Sequence, residues 1–85
     1  MLAEQRISKL GSDFEGRLSQ DLLSSALDYV THGEIGLSLE ILCDYLCEAD
    51  VPITQQEYEE ILSLGAEFHL DLNAGRFNYL KTLIQ

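Results

Sequence analysis

The 85-residue sequence has no Trp, one Pro and two Cys, and between Leu18 and Gly75 it contains no Lys or Arg at all. Each scarcity excludes something. No apolar run approaches the roughly 18 residues that a membrane-spanning helix needs, and the opening MLAEQRISKL does not place a basic stretch before a long apolar one, as a signal peptide would. Neither a membrane span nor export is therefore expected, and the cytoplasm is the expected compartment. There is no glycine-rich phosphate loop, no G-x-S-x-G elbow and no H-E-x-x-H pair, and no Glu is followed by His three residues on. Those patterns carry the common nucleotide, hydrolase and metal chemistries. A chain this short also buries only about 60 to 65% of its unfolded surface, which leaves little room for both a core and an enclosed active site. A binding module is expected rather than an enzyme, with no catalytic residue and no cofactor.

The two cysteines, Cys43 and Cys47, lie four residues apart in a predicted helix. A zinc ion there would need two further ligands, with only His32 and His69 to offer, so both thiols read as small apolar groups in a reducing compartment. A disulfide suits this helical spacing poorly. No metal is expected.

What the sequence does have is acid. Fifteen Asp and Glu against five Lys and Arg give a net charge of −10. Twelve of the acids lie between Leu18 and Gly75, whereas all five basic residues (Arg6, Lys9, Arg17, Arg76 and Lys81) sit in the two ends. Such a central block repels nucleic acid and anionic membranes and attracts cationic protein surfaces, besides serving solubility. The 46% apolar content is enough to support a folded single domain over residues 1–85.

Apolar spacing predicts an all-α fold, a compact bundle-like domain of four to five antiparallel helices. Ala3, Ile7, Leu10 and Phe14 repeat at helical intervals, with a break expected at Gly11 and a capping box from Ser12 to Glu15. Leu22, Leu23, Ala26, Leu27 and Val30 form a second stripe, closed by His32 and Gly33. A third helix runs from about Glu34 to Ala49, with Ile35, Leu39, Leu42 and Leu46 facing the core and Glu40, Asp44 and Glu48 directly opposite. Spaced by four and without a basic neighbour in sequence, those three acids are expected to repel one another by a few tenths of a kcal/mol per pair. Pro52 ends that helix, Thr54 and Glu57 form a capping box for the fourth, and Gly65 permits a close approach to another element. The segment NAGR at 73–76 reads as a turn, followed by a short helix carrying Phe77, Leu80 and Ile84.

Leu37, Ile41 and Tyr45 adjoin the acidic stripe, and an apolar patch framed by carboxylates has the composition of a protein interface, although Ile41 and Tyr45 would equally suit packing under a neighbouring helix. Glu34, Leu37, Glu40, Ile41, Asp44, Tyr45, Glu48 and Asp50 are accordingly the candidate partner-binding residues. Nucleic acid and membranes are not expected as partners.

The run DYVTHGEIGLSLEILCDYLCE at 28–48 and the run ITQQEYEEILSLG at 53–65 resemble, in their order and spacing, the MafI family of bacterial immunity proteins. The resemblance covers residues 22–71. It implies an all-helical protein that binds and neutralises, one to one, the C-terminal domain of a cognate secreted toxin, often a nuclease with a basic surface. Glu34, Glu40 and Glu48 match the family-like run, where such residues serve either the partner contact or the fold, Glu34 as a cap of the third helix. The alternative is an acidic adaptor or regulatory subunit that recognises a basic partner protein outside any toxin system.

Overall fold

Ser19 and Thr54 fix two of the helix starts. The Ser19 hydroxyl accepts from the Leu22 amide at 3.3 Å. At Thr54 the bonds are reciprocal: its Oγ1 accepts from the Glu57 amide at 3.0 Å, and the Glu57 carboxylate accepts from the Thr54 amide at 2.8 Å. Each pairing satisfies amides that the first helical turn would otherwise leave open. The computed structural model describes residues 2–85 as five helices: α1 (Ala3–Asp13), α2 (Gln20–Thr31), α3 (Ile35–Glu48), α4 (Gln55–Glu67) and α5 (Gly75–Thr82). The described residues contain no strand, only two isolated bridges.

The first helix does not break at Gly11. It continues to Asp13, because Gly11 is the point at which α1 rests on α2: a Cβ there would lie 2.9 Å from Leu27 Cδ1. Ser12 consequently lies inside the helix, its hydroxyl donating back to the Lys9 carbonyl at 3.4 Å, and does not cap a new one. Gly65 makes the close approach its spacing predicts, against Leu72 and the Phe77 ring. At the other end, Gly75 and Arg76 are not in a turn but form the first turn of α5. Ile84 lies beyond that helix and pairs with Ile53 in a single parallel bridge, through Ile53 N to Leu83 O at 3.1 Å and Gln85 N to Ile53 O at 2.9 Å.

The helices close around one core that includes Ile7, Phe14, Leu23, Leu39, Leu42, Leu46, Ile61 and Phe77, all at most 2% exposed. The expected core face of α3 is buried, with Ile35 packed at its margin. The radius of gyration, 11.4 Å, is close to the ~12 Å expected of a single compact unit of this length. Ser38 is the one buried polar residue described, and its hydroxyl donates to the Ala26 carbonyl at 2.8 Å, tying α3 to α2.

Arginines from the N-terminal segment fold back onto the acidic centre. Arg6 of α1 donates to Glu60 at 2.6 Å and to Glu67 at 3.1 Å on α4. Arg17, in the α1–α2 connection, forms a bidentate pair with Glu57 at 3.0 and 2.6 Å, donates to the Pro52 and Asp13 carbonyls, and lies 4.6 Å from the Phe14 ring centre. Hydrogen bonding to these carboxylates, opposed by some desolvation, raises the pKa of both guanidinium groups.

Burial alone would raise the Glu57 pKa, but the Arg17 hydrogen bonds and the Thr54 amide outweigh it and hold the carboxyl below its ordinary value of 4.5. A carboxyl depressed in the folded state contributes stability that is complete above the unfolded value and disappears as pH falls through the folded one. Melting temperature is therefore expected to drop below about pH 4.5 more steeply in the wild type than in Glu57→Gln, which lacks this titration. Thermal melts from about pH 7 to about pH 3 check the difference; parallel curves would contradict it.

Candidate functional site

Helix α3 lies between two neighbours that claim different sides of it. Ser38 and Tyr45 face α2, through the Ala26 carbonyl and through the Ser25 hydroxyl, which lies 3.4 Å from the Tyr45 hydroxyl. Glu40, Asp44 and Cys47 face α5. Arg76, in the first turn of α5, places Nη1 2.5 Å from a Glu40 oxygen and Nε 3.1 Å from an Asp44 oxygen, while the Cys47 thiol donates to the Arg76 carbonyl at 3.5 Å. A cation in a helix's first turn opposes the helix dipole, and the two carboxylates of α3 offset that cost.

The acidic stripe is thus not the uncompensated row that sequence spacing predicts. Its counter-charge is on the same chain, 36 residues away from Glu40 in sequence. Asp50 is engaged as well: it adopts φ 49° at the end of α3 and accepts from the Tyr79 hydroxyl of α5. That hydrogen bond raises the Tyr79 pKa. Of the acids proposed to meet a partner, only Glu34 and Glu48 are exposed without an ion pair or side-chain hydrogen bond. Glu34 is the N-cap residue of α3, outside its first turn, and makes no side-chain capping bond.

The apolar candidates are divided in the same way. Leu37 is 40% exposed, one of the few large hydrophobic side chains left in solvent. Ile41 and Tyr45 are half-buried and pack against the core, so for them the neighbouring-helix reading accounts for part of the surface. Leu37, Ile41 and Glu48 together form the outward strip of α3 between the side claimed by α2 and the side claimed by α5. The two thiols take ordinary structural places: Cys43 is fully buried and Cys47 half-buried, and desolvation raises the pKa of both. Among the described residues no cluster of three or more His, Cys, Asp and Glu is placed to hold a metal ion, and no helix is long and apolar enough to cross a membrane.

Open clefts mark the surface of the described residues, two of which bear on the site. The larger, about 510 Å³, lies between α1 and the start of α4, and its charges are already spent on ion pairs: Arg6 with Glu60, Lys9 with Asp13, and Glu57 with Arg17. The smaller, about 230 Å³, runs along α2 and is lined by Ser25, Asp28, Tyr29 and His32. Neither Arg76 nor this α2 groove is signalled by local sequence pattern, because the first acts at long range and the second is built from residue types common on any helix surface. No protein-family model, curated protein or solved structure matches the chain.

The Arg76 contact makes the stability of α3 testable. Arg76→Gln is expected to cost about 1 kcal/mol, since partly exposed ion pairs contribute little individually but Glu40 and Asp44 would be left facing each other. Glu48→Gln, which relieves repulsion from Asp44 without breaking a pair, is expected to add a few tenths of a kcal/mol. Urea denaturation of the two variants tests this, and a stabilising Arg76→Gln would contradict the pairing.

Proposed function

We propose that this protein is an immunity-type inhibitor that binds one to one to a basic toxin domain and occupies that partner without catalysing a reaction. The observation that carries this reading is the internal use of positive charge. Arg6, Lys9, Arg17 and Arg76 are each committed to the chain's own carboxylates, and among the described residues Lys81 is the one Lys or Arg outside an ion pair. The remaining exposed acids, among them Asp21, Asp28, Glu34 and Glu48, therefore face solvent with almost no interleaved cation. A nuclease grips phosphate through a cationic surface, and an inhibitor of this charge is matched to such a surface. The family-like runs at 28–48 and 53–65 support the toxin-domain form of the reading.

The test is genetic and biochemical. The reading frame directly upstream should encode a large protein whose C-terminal domain co-purifies with this chain as a 1:1 complex and loses its toxicity on co-expression. A complex with a basic protein that has no toxic activity would instead establish the adaptor reading. Absence of both a toxin-like neighbour and a basic partner would overturn the proposal.

A further inference from the structure

We infer that the partner docks on the outer surface formed jointly by α2 and α3, and that this surface takes a segment of basic protein presenting one aliphatic side chain beside a Lys or Arg. The inference rests on the inhibitor reading above and adds where the partner sits and what it offers. Helix α5 removes Glu40, Asp44 and Asp50 from consideration by engaging them with Arg76 and Tyr79. The outward strip of α3 that it leaves carries Leu37, 40% exposed, with the half-buried Ile41 and the unpaired Glu48. The Ser25–Tyr45 contact joins that strip to α2, whose own outer side bears the groove lined by Ser25, Asp28, Tyr29 and His32.

The chemistry of the two halves is complementary. The groove is open, about 230 Å³, and walled by the Asp28 carboxylate, the Tyr29 phenol, the Ser25 hydroxyl and the His32 imidazole, with no Lys or Arg among its lining residues. A cationic side chain entering it would gain a charge-assisted hydrogen bond to Asp28 and the face of Tyr29. Leu37 and Ile41 supply the apolar contact, and removing it from water gives the complex residence time that exposed charges do not. The larger cleft at α1 and α4 lacks this character, since its carboxylates already hold Arg6, Lys9 and Arg17.

The test uses the full chain and a synthetic helical peptide with leucines along one face and lysines at its borders, followed by amide NMR titration. Shifts are expected at Ser25, Asp28, Tyr29, Leu37 and Ile41. The double variant Asp28→Lys/Glu48→Lys should weaken the peptide about tenfold or more, while the charge-matched control Glu4→Lys/Glu59→Lys should change it less than about twofold. Both pairs alter exposed residues, so near-ultraviolet circular dichroism is used to verify that each variant is folded. Shifts centred on α1 and α4, equal weakening by both pairs, or no peptide binding at all would overturn this docking face. None of those outcomes decides the toxin complex, which the co-purification above tests separately.

Discussion

Arg17→Ala is expected to lower the stability of the fold by about 2 to 3 kcal/mol, which for a domain of this length corresponds to roughly 10 to 20 °C in melting temperature. The size follows from what the side chain joins. Its guanidinium bridges the α1–α2 connection, the Pro52 carbonyl before α4 and the Glu57 carboxylate within α4. Glu57 is only 12% exposed as a side chain, so removing Arg17 leaves a poorly solvated carboxylate with the Thr54 cap as its remaining partner. A double-mutant cycle with Glu57→Gln isolates the pair: the double variant should be less destabilised than the sum of the two single changes by about 1 kcal/mol or more. Additive losses would mean that the pair contributes nothing and that Arg17 holds the connection through the Pro52 and Asp13 carbonyls and packing.

Leu37→Ala is expected to speed dissociation from the proposed basic partner by about tenfold while leaving the association rate nearly unchanged. Because Leu37 is exposed on the outward strip of α3 and outside the core, the same change should move stability by less than about 0.5 kcal/mol. The contrast separates an interface residue from a structural one. Tyr45→Ala lacks that clarity, since Tyr45 packs against the core and meets Ser25 of α2, so both stability and binding would shift. Surface kinetics and a thermal melt on the same Leu37→Ala preparation give both readings, and unaltered dissociation would remove Leu37 from the interface.

The parts of this fold that were legible in sequence are those set by local chemistry. The Thr54–Glu57 capping box and the Leu39–Leu42–Leu46 core face follow from residues a few positions apart, whereas α3 ends not at Pro52 but at Glu48, closed by Asp50 at φ 49° with the Val51 and Asp50 amides bonded back to the Leu46 and Cys47 carbonyls. Gly11 was misleading because glycine's low helix propensity is a local signal, whereas its role here is tertiary, giving Leu27 room against α1. Arg76 was invisible for a related reason. Helical spacing brings Glu40 and Asp44 together but says nothing of which distant cation arrives, and only packing of α5 through the buried Phe77 and Leu80 places that guanidinium over them. Sequence spacing groups the acidic and apolar candidates on α3, but their division into a side held by α5 through Arg76 and Tyr79 and a strip left to solvent required the fold.

The most direct test of the account is the association rate with the proposed toxin domain measured across salt, from roughly 20 to roughly 500 mM, where the screening length shortens from about 20 Å to about 4 Å. If the anionic surface steers the encounter, the on-rate should fall by tenfold or more over that range while the dissociation rate changes little. An on-rate that is flat across the range would contradict it and would leave the acidity of this chain as a matter of solubility.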